Sequence, residues 1–190
     1  MSLKIHRRQL LASVGLLWLW PRGVRACGPS PALSDLLSHC SYCVLGRAVV
    51  SESHWVGLGG KQRIVTIHEF EIDEVLHGQA IPGETLRVRT LGGQVGDIAE
   101  RVFGDAELAP QQRTLLFLSR VDETLHVVTG MAGGCFPIRQ DAKGEATMHA
   151  LHATTAQSGA RGSAASLLEG VSVSEMRELL LRAGSELDAR

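Results

Sequence analysis

Residues 63–78, RIVTIHEFEIDEVLHG, constrain the fold more than any other stretch. Val65 and Ile67 fall on one parity of an extended chain, and Phe70, Ile72 and Leu76 fall on the other. Apolar residues at a spacing of two mark a strand, because successive side chains point to opposite faces. The change of parity near His68 and Glu69 predicts a β-bulge in this strand, which would bend it and re-aim its side chains. A long strand that changes face midway is what a small closed barrel requires. Gly78 and Ile81-Pro82-Gly83 then predict a turn. The run TLRVRTL at 85–91 predicts a strand with Leu86 and Val88 inward and Arg87 and Arg89 outward.

The other elements fit an all-β chain. Residues 42–53 predict a first strand bent at Gly46, followed by a glycine-rich hairpin loop at 54–62. Residues 92–112 form a long connection with a short strand expected near Glu100–Phe103; a connection of that length carries structure or function of its own. TLLFLSR at 114–120 is a continuous apolar run and predicts a buried strand. Asp122-Glu123 marks a turn into LHVVTG, and residues 131–138 give the last extended piece. Leu86, Val88, Phe70, Ile72, Leu116 and Val127 are the expected core. Near the start, Ser34 or Asp35 is placed to cap a short helix through Leu37. At the far end, Ser172 and Glu175 form a capping box, with Met176, Leu179, Leu180 and Ala183 on one helical face and Gly184 as the stop.

Nineteen basic and twenty acidic residues leave a net charge of −1, which gives no electrostatic reason to expect nucleic acid as a partner. The first 26 residues read as a targeting segment. Lys4, Arg7 and Arg8 precede an apolar run at 10–20, too short to span a bilayer, and Val24-Arg25-Ala26 offers a small-x-Ala cleavage site. Arg7-Arg8-Gln9-Leu10-Leu11 is similar to a twin-arginine signal, with a general secretory signal as the rival. The expected protein is therefore bacterial and exported, periplasmic or extracellular. Its domains are a signal peptide at 1–26, a barrel at 27–150, a small-residue linker at 151–170 and a helix at 171–188. Cleavage after Ala26 makes Cys27 the first residue. That cysteine is then either acylated, anchoring the chain to a membrane, or free to enter a disulfide.

Cysteines 27, 40, 43 and 135 are even in number, which in an exported chain favours disulfides; Cys27, Cys40, Cys43 and Cys135 are all candidates, and their spacing does not choose a pairing. A bridge from Cys135 to the N-terminal segment is expected. Cys40-Ser-Tyr-Cys43 is a CxxC, but it leads into a strand instead of opening a helix, unlike a thioredoxin-type site. His39, Cys40 and Cys43 lack a fourth zinc ligand. His149 and His152 show no acid partner nearby and read as solvated, and His68 reads as structural. The glycines at 92–96 precede no helix or Lys-Ser/Thr, so they do not form a phosphate cradle. GxSxG and HExxH are absent. No catalytic residue, metal or cofactor is assigned.

The order of elements carries a resemblance. An N-terminal Cys27 is followed by a Pro-containing segment and a Cys-bearing turn. Then come VLGRAVVSES, VTIHEFEIDEVLHGQ, LRVRT and the LLFLS…ETLHVVTGMAGGCF hairpin. Over about residues 27–138 this resembles the netrin-like domain of the tissue inhibitors of metalloproteinases, especially its short bacterial members. The resemblance implies an all-β, OB-fold-like barrel of five or six strands, with a short N-terminal and a C-terminal helix added. It implies a non-enzymatic binding module that inhibits an extracellular zinc protease through Cys27 and Gly28, the Cys27 α-amine and carbonyl chelating the catalytic zinc. The family's opening Cys-x-Cys is Cys27-Gly28-Pro29 here. Two other functions compete: a lipid-anchored or envelope-associated interaction protein, and a thiol oxidoreductase using Cys40 and Cys43.

Overall fold

A computed structural model describes residues 31–140, 144–151 and 162–188. The expected signal peptide, Cys27, Gly28 and His152 lie outside those residues. The described chain is mostly β-strand, with short helices at its two ends. In order, the elements are α1 (Leu33–His39), β1 (Tyr42–Leu58), β2 (Lys61–His77), β3 (Thr85–Val95), β4 (Ile98–Arg101), β5 (Arg113–Arg120), β6 (Leu125–Val128), a 3-10 turn at Met131–Gly134, β7 (Cys135–Gln140), β8 (Ala146–Met148), α2 (Ala164–Leu168) and α3 (Val173–Asp188).

Five of the strands close a ring in the order β1-β2-β3-β6-β5, with β5 returning to pair with β1. All contacts around the ring are antiparallel except β3–β6, which is parallel and only three residue pairs long. The sheet has two buried faces. Inside the ring, Tyr42, Val44, Phe70, Ile72, Leu86, Val88, Leu116, Leu118 and Cys135 form one cluster. On the outer face, Cys43, Leu45, Leu115, Phe117 and Phe136 pack under α1, α2 and α3 through Leu36, Leu168, Met176 and Leu180. The continuous apolar run of β5 follows from this: its even residues fill the ring, and its odd residues lie under helices.

The expected parity change in β2 is not present. Ile64, Thr66, His68, Phe70 and Ile72 are all buried in unbroken alternation, and His68-Glu69 is regular strand. The irregularities lie elsewhere. Val49 is the extra residue on β1 opposite Phe70 and Glu69, while Asp73 and Leu76 are extra residues on β2. Apolar residues alone mislead here, because the inward positions 66 and 68 are filled by Thr and His. Of the expected core, five residues share the ring interior; Val127 does not, and its neighbour Val128 takes the place. The hairpin loop expected at 54–62 shrinks to Gly59-Gly60, both at positive φ, because β1 runs on to Leu58. The short strand of the long connection is Ile98–Arg101, which folds back on the extension of β3.

The helical ends also differ in detail. The cap of α1 is Ala32, with no side-chain hydrogen bond, so neither Ser34 nor Asp35 serves. The stretch expected as linker contains α2, held by Ser163, whose Oγ accepts from the Ser166 N–H at 3.2 Å. Its Ala164, Ala165 and Leu168 are buried, a packing too short and small-sided to leave a periodic signature. Gly184 does not end α3, which continues to Asp188. The capping box forms as expected: the Glu175 N–H donates to Ser172 Oγ at 3.3 Å, and the Ser172 N–H donates to Glu175 Oε2 at 3.1 Å. Arg177 ties this helix to β2 by donating to both carboxylate oxygens of Glu74, at 2.7 and 2.6 Å. Replacing Ser172 with Ala should lower stability by about 1 kcal/mol in chemical denaturation. A change within error of zero would mean α3 is held by packing alone.

Candidate functional site

Beyond Phe70 the ring interior turns polar. Ser51 on β1, His68 on β2 and Thr90 on β3 form a hydrogen-bonded ladder: Ser51 Oγ to His68 Nδ1 is 2.7 Å, and His68 Nε2 to Thr90 Oγ1 is 2.9 Å. A second rung lies beside it, with Ser53 Oγ 2.9 Å from Thr66 Oγ1 and Thr66 donating to the Gly92 carbonyl at 2.8 Å. Gly93 is required there, since a Cβ would lie 2.3 Å from Thr66 Oγ1 and 2.4 Å from Ser53 Oγ, and its φ is +129°. The residues that bring these groups together are far apart in the chain; strand register alone aligns them.

The segment from β4 to Pro110 arches beside this polar end and borders an open recess of about 460 Å³. Ser51, Thr66, His68 and Thr90 lie on the strand side, and Glu100, Arg101, Val102, Glu107, Leu108 and Pro110 on the other. Three contacts hold the arch. Glu100 accepts from Arg63 Nη1 at 2.5 Å and from the Ile64 N–H at 2.9 Å. Arg101 donates to Glu107 through Nε and Nη2 at 2.9 and 2.7 Å. The Asp105 carboxylate accepts from the Leu91 N–H. Burial raises the Asp105 pKa above the usual carboxylate value, offset in part by its main-chain hydrogen bonds.

Burial pushes the His68 imidazole down to about pKa 4, so it is neutral at neutral pH. Its folded pKa lies below the unfolded value of 6.5, so the unfolded state binds more protons between the two values. The His68 contribution to stability is therefore complete above about pH 6.5 and disappears as the pH falls through about 4. That contribution is up to about 3 kcal/mol. Denaturation midpoints measured across this range should be flatter in His68→Gln than in the native chain. Equal pH dependence in both would show that folding leaves the His68 titration unchanged.

The sequence-singled thiols are arranged differently. Among the described residues, Cys40, Cys43 and Cys135 are free thiols. Cys43 lies on the helix-covered face with Cys40 packed beside it, whereas Cys135 lies inside the ring. Cys40 and Cys43 thus lie on the opposite side of the sheet from Cys135, and the remaining candidate, Cys27, lies outside the described residues. Pro31, four residues after Cys27, sits against Gly130 and Gly133, close in sequence to Cys135. Peptide mapping of the oxidised, exported protein should find Cys135 linked to Cys27, a closure that contributes a few kcal/mol. A free Cys135 in that sample would contradict the pairing.

Cys40 is the C-cap of α1, the negative end of a helix, where a thiolate gains no support. Burial raises its thiol to about pKa 11 and raises Cys43 well above the usual thiol range. His149 is not without an acid: its Nδ1 lies 3.2 Å from Glu169 Oε1, and the same carboxylate accepts from the Ala150 N–H at 2.6 Å, tying β8 to α2. The glycines at 92–96 belong to the β3–β4 hairpin. Among the described residues, no three His, Cys, Asp or Glu side chains are grouped to hold a metal ion. No helix among them is long and apolar enough to cross a membrane. The ladder and recess were not foreseen from sequence; the available signal was the run of small hydroxyl residues, Ser51, Ser53, Thr66 and Thr90, at strand positions facing the same way. No family model, curated protein or solved structure matches the chain.

Proposed function

We propose that this chain is an exported, non-enzymatic binding module. The observation that carries the reading is the state of the Ser51–His68 pair. It has the contact of a nucleophile and its base, Oγ to Nδ1 at 2.7 Å, yet the other imidazole nitrogen meets a hydroxyl, Thr90. A triad places a carboxylate at that position to stabilise the imidazolium formed on proton transfer. With its pKa down at about 4, His68 is a poor base, and the ladder is better suited to pinning three strands. The test is a fluorophosphonate probe with a panel of activated esters: no label on Ser51 and no turnover are expected. Stoichiometric labelling of Ser51, abolished in His68→Ala, would overturn the reading.

The five-strand ring with helices at both ends supports an OB-like barrel of the netrin-like kind, and with it an inhibitor of an extracellular zinc protease. In this reading Cys27 and Gly28 enter the protease cleft, and Pro31, seated against Gly130 and Gly133, fixes the root of that segment to the ring. A catalytic zinc keeps one position open for water or substrate, which an α-amine and carbonyl chelate can occupy. Acylation of Cys27 would block that amine and turn the module into a membrane-anchored interaction protein. The mass of the exported chain's N-terminal peptide separates the two.

A further inference from the structure

We propose that the β3–β6 seam is an acid-released closure, in which protonation of His126 frees β6 from β3 and opens the ring. This seam is the single parallel pairing in the ring and, like the antiparallel β5–β6 pairing, only three residue pairs long: Arg87 with Leu125, Val88 with His126, Arg89 with Val127. Parallel pairing is slightly weaker per residue than antiparallel pairing. His126 occupies the middle of the three positions, and its side chain is buried, 3% exposed. Neither ring nitrogen makes a hydrogen bond of good geometry. A buried polar group without a full partner costs free energy, and a buried, unpaired charge costs much more.

The groups around the imidazole do little to accommodate a proton. On β1, the Tyr42 ring lies 5.4 Å from it, centroid to centroid. On β5, Arg120 places its guanidinium over the same Tyr42 ring and donates to the Tyr42 hydroxyl, so a cation already sits beside the site and opposes a second. On the facing side, the Arg87 main chain favours the charged form, as do Asp122 in the β5–β6 turn and Glu84 ahead of β3. The 3-10 turn Met131–Gly134 packed against β6 carries no charge. Burial outweighs these attractions and holds His126 below the ordinary imidazole value of 6.5. Because the folded pKa lies below the unfolded one, protonation favours the opened form as the pH falls from about 6.5.

Opening at this seam reaches the recess. Thr90, Leu91, Gly92 and Gly93, part of its wall, directly follow the seam residues on β3. The antiparallel β1–β2, β2–β3 and β1–β5 pairings are longer and keep the rest of the ring together, so the released state is local to β6.

The test is residue-resolved hydrogen exchange on the full chain at about pH 7.5 and about pH 5, corrected for intrinsic exchange. Amides of residues 87–89 and 125–127 should lose roughly tenfold or more protection relative to residues 43–46 and 115–117 of the β1–β5 pair. His126→Phe should abolish that selective loss, whereas His68→Gln should retain it. Seam and β1–β5 amides that lose protection in parallel would overturn the proposal, as would a selective loss that persists in His126→Phe. Should His126→Phe not fold, imidazole titration by NMR in the native chain decides. His126 must titrate below about 6.5, in step with the seam amides; titration at or above that value, or uncoupled from them, overturns the closure.

Discussion

Phe70→Ala should destabilise the protein by about 3–5 kcal/mol. Phe70 is fully buried on β2, between Ala48 on β1 and Leu86 on β3, and is the one phenylalanine among the residues clustered inside the ring. Phe117 and Phe136 stack edge to face at 6.2 Å on the other face, beneath the helices, and cannot fill its space. Removing the phenyl leaves a cavity bounded by strands that are hydrogen-bonded on both sides, so collapse recovers little of the loss. The readout is the denaturant midpoint with its slope, since an unchanged slope assigns the whole effect to stability. A loss under roughly 1 kcal/mol would mean that the inward parity of β2 is misassigned.

Gly46→Ala should cost about 3 kcal/mol, the upper end for overpacking. A Cβ at this position would lie 2.1 Å from the Glu71 carbonyl oxygen and 2.7 Å from Phe70 Cε1. The aromatic edge can tilt away, but the carbonyl belongs to the paired backbone of β2 and can retreat only by separating the strands. Gly46 sits where β1 and β2 slip register, opposite Ile72, so the close approach is part of the bend itself. Phe70→Ala in the same chain should therefore fail to rescue Gly46→Ala. Rescue to the level of Phe70→Ala alone would place the crowding on the side chain and not on the main chain.

The residues differ in how openly they announce their roles. Leu86, Val88, Phe70, Ile72 and Leu116 could be assigned to one interior because strand parity is a local property. The continuous apolar run of β5 was legible as a buried strand, though not that the ring covers one face and the helices the other. The bulge expected at His68-Glu69 was misplaced because inward positions 66 and 68 carry Thr and His, which look solvent-facing in isolation. Their burial becomes sensible only when Ser51, Ser53, Thr90 and the Gly92 carbonyl are aligned to satisfy them, and those partners are 13 to 26 residues away in the chain. The same reason hid the recess: its arch is held by Glu100 reaching back to Arg63 and Ile64, contacts of sequence separation 37 and 36. Short elements such as α2 lie below the length at which periodicity can speak. The thiols show the converse. A CxxC motif is conspicuous in sequence, but its chemistry depends on which end of a helix it meets, and Cys40 meets the C-terminal end of α1.

The binding reading turns on the segment rooted at Pro31, and inhibition of zinc endopeptidases tests it most directly. A panel of secreted metalloproteases is assayed for residual activity against micromolar mature protein beginning at Cys27. The account predicts inhibition of at least one enzyme, lost when a single Ala precedes Cys27 and weakened on acidification, since an α-amine with pKa near 7.7–8.0 chelates only when neutral. No inhibition of any enzyme, or inhibition unchanged by the added Ala, would contradict it.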